Sequence, residues 1–175
     1  MNINILLIII FCIIVLSLLV LISFININNK INYTLIRINE ADSRIGSNLK
    51  DKYELLNRSI SLIKEKNKDD NILKEIVKLR TRKVSNFTLY NILNDSYLEF
   101  EKILKKNKDL LKSDEILKIS KQLIAIDSEL DTLIKYYDGN VCYYNNMLKK
   151  IPTGVVGKIK KYKLKECFIS IEDKE

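Results

Sequence analysis

Apolar and polar positions divide the chain into one unbroken apolar run and three periodic stretches. From Ile5 to Ile25 the sequence ILLIIIFCIIVLSLLVLISFI holds no charged residue, and Cys12, Ser17 and Ser23 are its only mild polar interruptions. At about 1.5 Å per residue such a run is roughly 30 Å long as a helix, the hydrocarbon thickness of a bilayer, and a helix leaves no peptide group unpaired there. The pattern predicts a transmembrane helix. A cleaved signal peptide would show a basic start, a shorter apolar core and a small-x-small exit, whereas MNIN has no charged side chain and Ser23-Phe24-Ile25 is a poor exit. Cys12, behind Ile10 and Phe11, is equally ill placed for lipid modification. The run reads as a retained signal anchor.

After a polar collar at Asn26 to Tyr33, expected to fray, apolar residues recur at Leu35, Ile38, Ala41, Ile45, Leu49, Tyr53, Leu56, Ile60 and Ile63. Steps of three and four put them on one helical face, predicting a helix A. KEKNKDDN, residues 64 to 71, has no apolar residue and offers Asp69 or Asp70 as an N-cap, so it is the first expected turn. Helix B is expected from Ile72 to about Lys106, with Leu73, Ile76, Leu79, Val84, Phe87, Tyr90, Leu93, Tyr97, Phe100 and Leu104 as its stripe. A break at Asn107 to Lys112 precedes Ser113, a cap, and Asp114 and Glu115, which suit a helix N-terminus. Helix C is the most regular, with Ile119, Leu123, Ile126, Leu130, Leu133, Tyr137, Val141, Tyr144, Leu148 and Ile151 spaced 4, 3, 4, 3, 4, 4, 3, 4 and 3. That is a seam buried in an antiparallel bundle or long coiled coil, and Pro152 ends it. The expected organisation is an anchor over 1–30 (transmembrane helix 5–25), a helical bundle over 31–161 and a C-terminal tail over 162–175. Four glycines and one proline in 175 residues agree with an all-α chain.

Charge adds sidedness and partners. Only the α-amino group precedes the apolar run, whereas Lys30, Arg37, Arg44, Lys50 and Lys52 follow it, so the soluble part is expected in the cytoplasm. The net charge of +8 favours an anionic neighbour: lipid headgroups, nucleic acid or an acidic protein. If helix A leads away from the membrane and B returns, the B/C turn with Lys102, Lys105, Lys106, Lys108 and Lys112 forms a membrane-proximal basic patch, each lysine worth about 1 kcal/mol beside an anionic leaflet. Lys149, Lys150, Lys158, Lys160, Lys161, Lys163 and Lys165 would then lie at the far end, on the order of 45 Å away for helices of about 30 residues, several screening lengths of roughly 8–10 Å. A solvated face is the plain reading of such a lysine run, an acidic protein comes next, and nucleic acid is disfavoured because the tail lacks arginine and a reading element.

Catalytic chemistry has little to stand on. The chain has no histidine and three cysteines, one of them Cys12 in the anchor, so no Ser/His/Asp triad, Cys/His nucleophile, His-bearing zinc site or four-thiolate zinc site can be assembled. Cys142 and Cys167 could pair only in an oxidising compartment. Asp127, Glu129, Asp131 and Asp138 read as helix-spaced surface acids, which disfavours a hydrolase or transferase. No cofactor and no small-molecule substrate is indicated.

Tyr137-Asp138, Val141, Tyr144-Asn145, Leu148 and Ile151-Pro152, followed by Thr153-Gly154-Val155-Val156, Tyr162 and Cys167-Phe168, resemble the C-terminal signature of the LemA family. Its usual form is Tyr-Asn, two residues, Val, two residues, Tyr-Asn, two residues, Ile, two residues, Phe-Pro-Ser-Asn, then a Gly-Phe and Tyr-Phe ending. Upstream, Asn48-Leu49 through Leu55-Leu56 is similar to the family's Leu, Arg, Asp-Leu-Ile segment, and Leu79-Arg80 with Arg82 resembles its arginine in helix B. Departures are Asp138 for the first asparagine, Leu133-Ile134 for an Ala-Arg pair, Ile151 for phenylalanine and Asn57 for a proline. The resemblance extends over the anchor and nearly the whole domain. It implies a single-pass bacterial membrane protein with an antiparallel bundle of three long helices plus a short C-terminal helix, without established enzymatic activity.

For the signature residues Tyr137, Val141, Tyr144, Asn145 and Pro152 the plain reading is core structure; the sharper one is a peptide groove lined by Tyr137, Tyr144 and Phe87. The leading functional expectation is a non-enzymatic scaffold or adaptor, anchored in the lipid bilayer and holding an unidentified protein partner through a distal end, residues about 64 to 71 and 152 to 168. Tyr162, Phe168, Lys158, Lys160 and Lys161 are its candidate partner surface. The alternative is an envelope-facing structural protein with the domain outside and Cys142 and Cys167 bridged.

Overall fold

The computed structural model describes residues 3–66, 73–79, 84–107 and 109–169. Among these every regular element is helical: α1 (Ile3–Lys66), α2 (Lys74–Leu79), α3 (Asn86–Lys106), a 3-10 turn (Leu110–Lys112), α4 (Asp114–Lys149) and α5 (Thr153–Ile159). The fold is all-α, as the composition and periodicity require. Contacts divide the chain into two compact units, one of Met1–Asn39 with Asp138–Cys167 and one of Glu40–Tyr137 with Phe168–Glu175. Of the expected first turn at 64–71, residues 64–66 continue α1, while 67–71, with the Asp69 or Asp70 cap, lie outside the described residues, as do Arg80, Arg82, Lys108 and 170–175.

In the first unit the apolar run forms the start of α1, the one described helix long and apolar enough to cross a membrane. Its side chains are exposed from Ile5 onward, and cover begins at Phe24, which is half-buried. The collar does not fray. Ile31 and Thr34 are buried, and the Thr34 hydroxyl donates to the Lys30 carbonyl at 3.0 Å, so α1 continues through it. The α4 segment of this unit buries Val141, Tyr144 and Met147, continuing the predicted seam. That seam stops one step early: Ile151 lies past the end of α4 and is 86% exposed.

In the second unit α1 buries Ile45, Leu49, Leu56 and Ile63, and α4 buries Ile119, Leu123, Leu130 and Leu133, on the faces their spacing predicts. Helix B is where the chain departs from expectation. It is two helices, because Ser85 is extended and caps a fresh start: its Oγ accepts from the Thr88 N–H at 3.2 Å. Ahead of it, Leu73 adopts φ 51°, its N–H donating to Glu99 Oε1 at 3.1 Å, and α2 packs on α3.

This division sets the direction of α3. Asn86 Nδ2 donates to the Asp42 carbonyl and to Asp42 Oδ1 at 3.0 and 2.9 Å, and Asn94 receives Lys52, so α3 runs with α1. Helix α4 runs against both, since Arg58 pairs with Glu115, Lys52 with Asp127 and Arg44 with Glu129. The turn between α3 and α4 therefore lies at the Arg58 end of this unit's α1 segment. Lys102, Lys105, Lys106 and Lys112 go with it. Their expected membrane-proximal placement required a helix B antiparallel to A, and the break at Val84-Ser85 removes that premise.

Candidate interaction surface

The signature residues of α4 form a clasp for the chain that follows. The Tyr144 hydroxyl donates to the Lys163 carbonyl at 3.0 Å, and Asn145 bonds Lys165 twice: its Nδ2 donates to the carbonyl at 2.8 Å and its Oδ1 accepts from the N–H at 3.0 Å. A primary amide is the group that can complete both sides of one backbone residue. Val141 is fully buried. Pro152, after a cis bond from Ile151, is the N-cap of α5. Tyr144 and Asn145 of the resemblance thus seat the C-terminal arm on α4.

Between α4 and that arm, α5 lies against the end of α4 through Gly154, Val156 and Gly157, all buried. A side chain on Gly154 would stand 2.6 Å from the Leu148 carbonyl oxygen, so this close approach admits only glycine. Lys161 then adopts φ 57°, its N–H donating to the Lys158 carbonyl at 3.1 Å while the Tyr162 N–H donates to the Gly157 carbonyl at 2.9 Å. These two bonds make the Schellman helix end, with lysine where glycine is usual. The reversal delivers Tyr162 to α1: its hydroxyl lies 2.6 Å from Asn32 Oδ1 and 3.0 Å from Asn28 Oδ1.

Two expectations are corrected by this geometry. Lys149, Lys150, Lys158, Lys160, Lys161, Lys163 and Lys165 belong to a segment fastened beside Asn28 and Asn32, just after the apolar run, and not to a far end. The reason is the direction of α4, which returns toward the start of α1; Lys30 sits 5.7 Å from the Tyr143 ring centre. The two aromatic residues of the expected partner surface both make contacts inside the chain. Tyr162 is half-buried with its hydroxyl bonded, whereas Lys158, Lys160 and Lys161 are exposed. Phe168 is 8% exposed and packs within the second unit against Phe87, Tyr90 and Tyr137, with ring centres 6.2, 6.0 and 5.1 Å apart. Phe87 and Tyr137, two of the three rings expected to line a peptide groove, thus pack against the chain's own phenylalanine.

The second unit holds a polar cluster that sequence reading missed. Lys52 is fully buried; its Nζ donates to Asp127 Oδ1 at 2.5 Å and to Asn94 Oδ1 at 2.8 Å, and stands 5.2 Å from the Tyr97 ring centre. Asp127 is therefore not the free surface acid expected of it. Burial, then the nearby charge of Glu101 and a hydrogen bond to it, then Asp127, push the Tyr97 hydroxyl up to about 12. Through its bonds to Asp127 and Asn94 this one buried amine joins three helices. A signal for it was present: Lys52 is three past Leu49 and four before Leu56, and Asp127 four past Leu123 and three before Leu130, so opposite charges occupy the two apolar seams. Nearby, Asp51, Glu54, Leu55 and Arg58 of α1 and Gln122, Ala125 and Ile126 of α4 line an open cleft of about 490 Å³.

A family model described as the LemA family matches residues 41–175. The match begins at Ala41, so the apolar run lies outside it, although the resemblance read from the sequence took in the anchor. No curated protein and no solved structure matches the chain.

Proposed function

Since the chain belongs to the LemA family, we propose that it is a single-pass membrane protein whose helical bundle serves as a non-enzymatic scaffold or adaptor, holding a protein partner at the cytoplasmic face of a membrane. The observation that carries this is the continuity of α1: the apolar run and the buried stripe of the bundle belong to one helix, Ile3–Lys66. Whatever the bundle binds is thereby tethered to lipid. The cation bias after the run supports a cytoplasmic bundle. With Tyr162 and Phe168 engaged internally, the cleft between Asp51, Arg58 and Gln122 becomes the better partner surface.

The test is a photo-cross-linking residue placed at Gln122 in the full chain, with Lys135 as the control position. A protein captured from Gln122, absent from Lys135 and lost on Arg58→Glu, is the expected result; the same capture from both positions, or from neither, refutes the adaptor reading. Sidedness is read on Cys142, which is exposed. An impermeant maleimide should label it only after permeabilisation. Labelling of intact cells would favour the envelope-facing alternative.

A further inference from the structure

We propose that α5 and the lysine-rich arm after it form an amphipathic foot that lies on the bilayer and binds the anionic headgroup layer where α1 emerges. The proposal rests on the anchored reading above. Placement is the first support: Tyr162 reaches Asn28 and Asn32, three and seven residues beyond Ile25, and cover of α1 begins at Phe24, inside the apolar run. The foot therefore sits at the level where a spanning α1 leaves hydrocarbon.

Its surface chemistry matches that level. The inner face of α5 is the buried Gly154, Val156 and Gly157, while Ile151, Val155, Ile159 and, beyond the helix, Leu164 are 86, 50, 62 and 59% exposed. Val155 and Ile159 are one turn apart, so they project together. Around them, residues 149–165 contain seven lysines and no acid, every lysine is exposed, and among the described residues none is held in an ion pair. Apolar side chains flanked by lysines whose stems can lie along acyl chains while their ammonium groups meet phosphates are the features of an interfacial helix. An acidic protein could meet the lysines, but it would not account for an uncovered apolar face beside the end of the membrane-spanning run. Each lysine near an anionic surface contributes about 1 kcal/mol, about fivefold in partition.

The experiment uses the full chain with Cys12, Cys142 and Cys167 changed to serine, an environment-sensitive fluorophore on a single introduced cysteine, and vesicles of phosphatidylcholine with or without phosphatidylglycerol. With Ile159→Cys the emission should be blue-shifted and shielded from an aqueous quencher in the anionic vesicles. Adding Lys158→Glu, Lys160→Glu and Lys161→Glu, all at exposed positions, should return it toward the value in water. Leu16→Cys reports the anchor and Ile124→Cys, in the second unit, a water-facing reference. A lipid-like Leu16 with a water-like Ile159 in both vesicles overturns the foot and leaves the anchor standing; a water-like Leu16 overturns the anchor and the foot with it. Shielding that ignores the charge reversals, or that arises only when cytosolic protein is added, also overturns the proposal.

Discussion

Asp127→Ala should be among the most damaging single changes outside the apolar core, and more damaging than Lys52→Met. Removing the carboxylate leaves the Lys52 ammonium fully buried with Asn94 as its remaining hydrogen-bond acceptor, and breaking such a pair from one side costs about 3–5 kcal/mol. The 31% exposure of the Asp127 side chain lets some water reach the gap, which sets the expectation at the lower end, about 3 kcal/mol. Lys52→Met removes the buried charge itself and fills the space with a side chain of similar length. It leaves Asp127 partly hydrated, and its cost should stay near 1 kcal/mol. In a urea titration of the full chain in mild detergent, followed by near-ultraviolet tyrosine dichroism, a slope of about 1–3 kcal/mol/M converts 3 kcal/mol into a midpoint lowered by about 1–3 M. The double variant should be more stable than Asp127→Ala alone, because the stranded charge has gone. If Lys52→Met costs as much as Asp127→Ala, or the double variant is the worst of the three, the buried-charge reasoning is wrong.

Other outcomes follow from single features. A side chain at position 139, on the exposed face of α4, would meet nothing within 4 Å, so Gly139→Ala should raise stability by about 0.5–1 kcal/mol, whereas Gly154→Ala, driven against the Leu148 carbonyl, should lower it by more than that; paired denaturation curves check both. Burial and the neighbouring carboxylates hold the Tyr97 hydroxyl protonated up to about 12 in the folded chain against about 10 unfolded, so its contribution is present below pH 10 and is lost as pH rises through 12. Tyr97→Phe should flatten that loss and remove one late step from the tyrosinate absorbance titration. Asn145→Ala deletes two hydrogen bonds to Lys165, about 1 kcal/mol each, and should speed proteolytic cleavage of the arm while the bundle persists.

How legible the chain was depended on whether a signal was local. The α1 and α4 stripes followed from spacing alone, because one face repeats over many turns with no proline before Pro152. The direction of α3 did not. Nothing apolar or glycine-rich marks the interruption before Asn86, only a serine suited to cap a helix, and the directional evidence is a set of side-chain pairs 42 to 44 residues apart. Lysine 52 and aspartate 127 looked like solvated charges when each was judged by itself; in register with facing seams they become partners. Tyr144 and Asn145 stood out as a motif, but their acceptors and donor lie on the backbone of Lys163 and Lys165, and a backbone partner leaves no trace in residue identity.

The account turns on α4 bringing the lysine arm back to the root of the apolar run. Spin labels at Asn29 and Lys163, both exposed positions of the first unit, measure this directly in the reconstituted full chain. A single short separation is predicted, consistent with Tyr162 touching Asn28 and Asn32. A dominant separation on the order of 45 Å, the length of a helix of about 30 residues, would place the arm at the opposite end of the helices and contradict it.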